Sequence, residues 1–224
     1  MIPFPFSFWK IQGIVGNGSM LFTAASNTYL TVPGSTDWAV GTGDFTVEGW
    51  FYQNNNGNTN YLFSLGTGNN FAVGIASGGG RLSGYMGGSR ISNQIIANAT
   101  NTWFYWAVTR SAGTYNMYFN GTRTDTLANT TNITDTTSVL YIGWDGSGAG
   151  AYWPGNMTNF RFTKGTALYT GATMTIPTSN LTAGANTKLL LNSQNSANLL
   201  TDSSGTGKVV TNVNGVSFSA LTPY

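Results

Sequence analysis

The 224-residue sequence predicts an all-β fold, an antiparallel sandwich of two sheets. Charged residues make up 7% of the chain and hydrophobic residues 41%, whereas an average soluble domain has about 25% charged residues. The surface must therefore be covered by Asn, Thr, Ser and Gly, and the residues that favour exposed helices, Lys, Glu, Ala and Leu, are scarce as runs. Short runs of aromatic and β-branched residues recur between turn-forming clusters, which is typical of sandwiches and barrels.

Ten runs have the composition of β-strands, and clusters rich in Gly, Asn, Asp and Ser separate them. We predict strands at residues 20–23, 29–32, 44–52, 61–65, 71–76, 81–86, 103–110, 115–119, 139–144 and 157–163. Asn120 and Gly121 form a two-residue turn of the kind that closes a hairpin. Three further runs, at residues 188–191, 209–213 and 216–218, are predicted to be strands near the C-terminus.

Two of these strands do not alternate simply. Phe45 and Val47 share one face, but Trp50 and Tyr52 share the other. Either Gly49 marks a β-bulge that resets the faces, or the strand is buried on both sides. Residues 103–108 are apolar at every position, which favours a central strand that a neighbouring segment covers.

The missing residue types exclude several kinds of chemistry. The chain has no His and no Cys, so it lacks Ser-His-Asp and Cys-His nucleophiles, disulfides, and imidazole or thiolate metal sites. Of its nine basic residues only Arg161 and Lys164 lie close in sequence, and a nucleic-acid partner needs a basic stripe that neutralises several phosphates. No apolar run approaches the ~20 residues of a membrane helix. We expect no nucleic-acid and no membrane partner.

The few carboxylates argue against an enzyme and against a cofactor. Glycosidases of the sandwich type need two carboxylates at a defined separation, and the nearest pair, Asp44 and Glu48, lies at opposite ends of a predicted strand. We predict no catalysis and place Glu48 at a surface or hydrogen-bonded strand position. Calcium is the less favoured alternative: Asp37, Asp44 or Asp145 could contribute oxygens, but no loop is rich in Asp.

One loop carries the best candidate ligand site. Residues 144–154 hold Trp144, Asp145, Tyr152 and Trp153 among glycines. Aromatic rings stack on sugars and Asp accepts hydrogen bonds from hydroxyl groups, so this loop predicts a glycan site at the rim of the sandwich. The alternative is that Trp153 caps the core and Trp144 ends a strand.

The order of motifs resembles the concanavalin A-like, laminin G-like jelly roll over most of the chain. The motifs are GSMLF (18–22), YLTVP (29–33), GDFTVEGWF (43–51), the hairpin of residues 101–121, LYIG (140–143) and GNMTNFRF (155–162). The resemblance implies a two-sheet jelly roll. Many domains of this family bind sugars or surface proteins, which raises the expectation of glycan binding without establishing it.

A narrower resemblance involves the second half of the chain. The segments NFRFTKGTALYT (159–170), PTSNLT (177–182), LLLN (189–192), DSSG (202–205) and VNGV (213–216) are similar to structural proteins of tailed phages, marine cyanophages especially. In ordinary family members a segment like 189–219 precedes the first strand, so the unit looks circularly permuted or cut out of a tandem array. We expect residues 16–224 to form one sandwich, in which 187–219 supplies strands beside 19–32 within the same chain. The alternative is closure across two chains, which would give a strand-swapped oligomer.

Residues 1–15 are expected to form an apolar arm. Phe4, Phe6, Phe8 and Trp9 alternate with Pro and Ser, and an exposed stretch of this kind seeks a partner. We predict that the arm docks on a second copy or on another virion protein, the alternative being that it folds back on its own sandwich.

The resemblance implies a non-catalytic protein of the virion surface, a capsid decoration or a tail or fibre protein assembled in the host cytoplasm. Its expected partners are other virion proteins and further copies in a homo-oligomer. The alternative function is an adhesion module that binds host-surface glycans.

Overall fold

The computed structural model describes residues 17–55, 59–67, 69–76, 80–96, 100–147 and 150–224. Two antiparallel sheets pack face to face as a jelly-roll sandwich, which confirms the predicted fold class. The predicted arm, with Phe4, Phe6, Phe8 and Trp9, lies outside the described residues. Among the helical segments that the structure describes, none is long and apolar enough to cross a membrane.

The first sheet follows the order β10-β9-β8-β3-β12-β1-β15, and β13 also pairs with β12. Its strands are β1 (Ser19–Phe22), β3 (Phe45–Gln53), β8 (Trp103–Ser111), β9 (Thr114–Phe119), β10 (Thr122–Ala128), β12 (Gly155–Lys164), β13 (Thr187–Leu191) and β15 (Ser217–Ser219). The second sheet follows the order β14-β2-β11-β4-β5-β6-β7. Its strands are β2 (Tyr29–Val32), β4 (Asn60–Leu65), β5 (Phe71–Ala76), β6 (Arg81–Met86), β7 (Ser89–Ile95), β11 (Leu140–Ile142) and β14 (Thr211–Val213).

The inner faces of the two sheets form one aromatic-rich core. Phe63 of the second sheet stacks on Trp106 of the first, with centroids 5.9 Å apart, and contacts Phe71 edge to face. All three side chains are buried. Burial of such rings is a large apolar contribution to stability, since each removes 150–250 Å² from water.

β3 is buried on both sides, and this settles the question raised at Gly49. Its pairing with β8 runs through Gly49 without a shift, whereas β12 shifts register between Thr158 and Arg161. A side chain at Gly49 would place Cβ 3.3 Å from the carbonyl oxygen of Asn159, so the glycine accommodates the close approach of the bulged partner strand.

The C-terminal strands lie beside the N-terminal ones within one chain. β15 pairs with β1, β14 pairs with β2, and the Ser19 hydroxyl donates to the carbonyl of Leu221 over 2.6 Å. β13 differs from the expectation because it pairs with β12 and not beside residues 19–32. The reason is length: β1 covers only Gly155–Met157 of the ten-residue β12, so the second half of β12 remains available for β13.

Candidate functional site

The outer face of the first sheet is closed by the covering segment, residues 165–186, which follows β12. Backbone carbonyls of this segment accept hydrogen bonds from one side chain on each of four strands. These bonds run from Thr46 to Thr166, from Thr109 to Tyr169, from Tyr118 to Gly171 and from Arg123 to Thr170, over 2.9–3.1 Å. Outward-facing residues of β3 and β8 are therefore buried, as the apolar run at 103–108 predicts.

Glu48 is the centre of a buried polar network beneath the covering segment. The hydroxyl groups of Tyr105 and Tyr169 donate to its Oε2 over 2.5 and 2.7 Å, and Nε and Nη2 of Arg161 donate to its Oε1 over 2.8 and 2.6 Å. Burial, together with the negative charge of Glu48, raises the pKa of both tyrosines. Burial lowers the pKa of Arg161, but the attraction of Glu48 outweighs it and the net direction is upward.

This network gives Glu48 a structural role. The side chain is fully buried and already accepts four hydrogen bonds, so it is neither at the surface nor placed to protonate a substrate. Asp44, the nearest carboxylate in sequence, accepts a hydrogen bond from the backbone of Ala112 at the end of β8. The two carboxylates do not form the opposed pair that glycoside hydrolysis requires.

The outer face of the second sheet carries a different group, the aromatic surface, formed by Tyr29, Tyr141, Trp144 and Tyr152. The Trp144 ring lies 4.6 Å from Tyr29, 5.2 Å from Tyr141 and 5.3 Å from Tyr152, and it stacks on Tyr152 with an interplanar angle of 12°. All four side chains are half-buried. Each ring therefore keeps an exposed part while its neighbours hold its orientation.

Two contacts of the loop between β11 and β12 fix the positions of Tyr152 and Tyr141. The Asn60 side chain donates to the carbonyl of Tyr152 over 2.6 Å. Gly146 has a φ of +73°, and a Cβ there would lie 2.5 Å from the Tyr141 ring. Only glycine combines this backbone conformation with such close contact to an aromatic ring.

The structure brings together two of the four predicted site residues in the aromatic surface. Trp144 and Tyr152 stack on each other, and Asp145, 8% exposed, accepts hydrogen bonds from the backbone and hydroxyl of Ser147. Trp153 does not join the aromatic surface, which corrects its prediction as a stacking residue. Its side chain is fully buried and contacts Phe51 edge to face at 5.4 Å, so it belongs to the core and offers no face to a ligand.

The sequence reasoning missed Tyr29 and Tyr141. A signal for Tyr141 was present, because it lies between Leu140 and Ile142 and so faces outward if those residues face the core. That it meets Tyr29 depends on the pairing of β11 with β2, residues far apart in the chain. No local pattern carries that information.

The acidic residues considered for calcium do not converge. Asp37 pairs with Lys208, with 2.5 Å between Oδ2 and Nζ, and with Lys188 at 3.8 Å. Burial raises the pKa of Asp37, but the two lysines outweigh it and lower the pKa overall. In the part of the chain that the structure describes, no three acidic residues are grouped as a metal site would need.

Comparison with known proteins agrees with this architecture. A heptameric SAP-like pentraxin from Limulus polyphemus has a TM-score of 0.57 and 16% identity, covering 92% of this chain and 95% of that one. A proposed carbohydrate-binding protein from Bacteroides ovatus has a TM-score of 0.65 and 18% identity, covering 91% of this chain and 59% of its own length. Domains LG4–5 of the mouse laminin α1 chain have a TM-score of 0.51 and 15% identity, with 71% and 46% covered. These likenesses concern the fold.

The chain thus spans about half the length of the Bacteroides and laminin structures that it matches. A search of curated protein sequences gives no significant match. A family model, described as the concanavalin A-like lectin/glucanases superfamily, matches residues 24–170, more than half of the chain. The chain therefore belongs to the laminin G group of the concanavalin A-like lectin/glucanases superfamily.

Proposed function

We propose that this protein is a non-catalytic carbohydrate-binding module and that the aromatic surface is its binding site. The observation that carries the proposal is the mutual contact of four half-buried aromatic rings on an outer sheet face, away from the core. Family membership and the fold shared with the proposed carbohydrate-binding protein of Bacteroides ovatus support it.

The geometry suits a sugar because the rings are already ordered. Trp144 contacts three tyrosines, so little side-chain freedom remains to be lost when a ligand binds. An aromatic contact contributes roughly 1 kcal/mol beyond the apolar area that it buries. The tyrosine hydroxyl groups supply hydrogen bonds at the edge of the same surface. Affinities for single short glycans should therefore be modest.

The variant Trp144→Ala tests the proposal. A glycan microarray would identify ligands, and calorimetry would measure the affinity of the best one for the wild type and the variant. We expect binding to fall at least about tenfold, since each 1.4 kcal/mol is a factor of ten. The fold should remain intact because the side chain lies outside the core.

Trp103→Ala is the matched control. Trp103 is also half-buried and contacts a tyrosine, Tyr52, at 5.5 Å, but it lies on the first sheet. Binding should survive this substitution. Equal losses in the two variants, or an array without any ligand that depends on Trp144, would show that the aromatic surface is not a glycan site.

A second candidate function is a structural protein of the virion surface that docks through residues 1–15. The similarity of residues 159–182 to tailed-phage structural proteins and the apolar residues Phe4, Phe6, Phe8 and Trp9 support it. Deleting residues 1–11 tests it, with light scattering as the measure of assembly state. We expect the truncated protein to lose self-association and particle binding. A truncated protein that keeps both would contradict the docking arm.

A further inference from the structure

We infer that the aromatic surface is selective for uncharged glycans, with Asp145 as the residue that excludes acidic ones. The inference rests on the proposed function, because it concerns the ligand class of the same surface. It follows from the charges near the rings and from the position of every described basic side chain.

Asp145 places a negative charge beside the rings. It follows Trp144 directly, and its carboxylate accepts hydrogen bonds from the backbone and hydroxyl of Ser147 at 3.0 and 2.6 Å. Within the described residues it forms no ion pair. The pKa of Tyr152 is raised by burial first, then by the neighbouring Tyr29 and then by Asp145. The charge of Asp145 therefore acts on one of the four rings.

Basic residues of the second sheet lie well away from the rings. Arg81 on β6 and Arg90 on β7 are three and four strands from β11. At roughly 4.8 Å per strand, their backbones are about 14 and 19 Å from that of Tyr141. Arg81 also points toward the edge of the sheet, where it donates to the carbonyl of Asn93.

Basic residues elsewhere are engaged with other groups. Arg110 donates to the carbonyls of Gly41, Gly43 and Thr131, and Arg161 to Glu48. Lys188 and Lys208 pair with Asp37, and Lys164 donates to the carbonyl of Thr36. Arg123 donates to the covering segment on the opposite face of the sandwich.

The lysines around Asp37 lie beyond Val32, the end of β2 opposite Tyr29, since Lys208 donates to Ser35 and both lysines pair with Asp37. The length of β2 alone is about 10 Å, so this basic group is more than one Debye length from Tyr29, which Trp144 contacts, at physiological salt, where that length is about 8 Å. A carboxylate or sulfate on a bound sugar would meet the charge of Asp145, and none of the basic residues that the structure describes is near enough to offset it. An uncharged sugar stacked on the same rings meets no such repulsion.

The test compares matched pairs of glycans. The neutral oligosaccharide that binds best and its sialylated or sulfated derivative would be titrated by calorimetry against the wild type, Asp145→Asn and Asp125→Asn. The amide oxygen introduced by Asp145→Asn can still accept the hydrogen bond from the Ser147 backbone, so the substitution removes charge and little else. Asp125 is the matched control, because it accepts hydrogen bonds from Ser92 and Gln94 at the distant edge formed by β7 and β10.

We expect the acidic derivative to bind the wild type about tenfold more weakly than the neutral one. The gap should close in Asp145→Asn and persist in Asp125→Asn. As a measurement that needs no variant, raising the salt from about 20 to about 500 mM should strengthen binding of the acidic derivative and leave the neutral one unchanged, because salt screens the repulsion.

The other possible outcomes contradict either the selectivity, the role of Asp145 or the proposed function. Neutral and acidic glycans that bind equally well through Trp144 would overturn the inference and leave the proposed function standing. A gap that persists in Asp145→Asn and does not respond to salt would overturn the role of Asp145. If no glycan binds through Trp144, the proposed function is wrong and the inference falls with it.

Discussion

The two outer faces of the sandwich are built in different ways. On the first sheet, the covering segment buries Thr46, Glu48 and Thr109 and accepts hydrogen bonds from side chains of four strands. On the second sheet, the aromatic surface remains half-exposed and its rings contact one another without an ion pair. A closed face must satisfy every polar group that it buries, whereas an open face can leave flat apolar rings for a ligand.

This difference explains why Glu48, the one glutamate of the chain, is a structural residue and not a candidate catalytic residue. Removing Glu48 from water is tolerable only because Arg161, Tyr105 and Tyr169 bond to it. The network attaches the covering segment to β3 and β12, so its role lies in stability. The ligand site is expected where the burial is incomplete.

The largest expected effect separates two tryptophans of the same loop. Trp153→Ala should destabilise the protein by about 4 kcal/mol, since the side chain is fully buried against Phe51. Trp144→Ala should cost about 1 kcal/mol, because its ring is half-exposed. Urea denaturation measures both. Similar losses would mean that the aromatic surface is part of the core.

Glu48→Ala should destabilise by about 3 kcal/mol, because Arg161 is left as a largely buried, unpaired charge. Asp44→Ala is the control, with an expected loss of about 1 kcal/mol, since its carboxylate bonds to an exposed backbone N–H. The same denaturation assay applies. A loss at Glu48 no greater than at Asp44 would contradict the structural role of the network.

Two glycines of the loop offer a matched pair on the open face. Gly146 and Gly150 both have a φ of +73°, but a Cβ at Gly146 would overlap the Tyr141 ring, whereas no atom of the described residues lies within 4 Å of one at Gly150. Gly146→Ala should cost about 2 kcal/mol and weaken glycan binding, and Gly150→Ala about 1 kcal/mol with binding retained. Equal binding in both variants would show that the position of Tyr141 is unimportant.

The smallest effect is a pH dependence of the closed face. Burial and Glu48 raise the pKa of Tyr105 and Tyr169 in the folded protein above the unfolded value of about 10. Below about pH 10 both states are protonated. Above it the unfolded chain ionises first, so stability should fall as pH rises.

Tyr169→Phe sharpens this last prediction. The variant should lose about 1.5 kcal/mol at neutral pH, the lower end of the contribution of one hydrogen bond to a charged group. Its stability should then fall less steeply than that of the wild type above about pH 10. Denaturation at several pH values compares the slopes, and an identical slope would mean that Tyr169 does not titrate with unfolding.

Strands with a clear apolar pattern were predictable, and edge strands were not. The predicted strands at 29–32, 71–76 and 81–86 coincide with β2, β5 and β6. β7 and β10 escaped prediction because SRISNQI and TRTDTLA contain few apolar residues. Each lies at the edge of its sheet and is partly exposed, so pairing with a neighbouring strand, and not burial, holds it in place.

The predicted strand at 139–144 shows how a close contact ends an element. β11 stops at Ile142, because Gly143 takes a φ of +83° and packs against the Phe22 ring. Trp144 therefore leaves the sheet and reaches Tyr29 and Tyr152. A contact between residues 22 and 143 cannot be read from either local sequence.

The sequence by itself determined the all-β class and the absence of His and Cys chemistry, and it predicted the loop in which we propose a ligand site. Composition and short-range periodicity carry those properties, since they depend on residue types and on neighbours in the chain. Only the tertiary structure decided that Trp153 enters the core while Trp144 stays at the surface. Exposure depends on partners distant in sequence, Phe51 for one and Tyr29 for the other, and strand pairing alone brings them together.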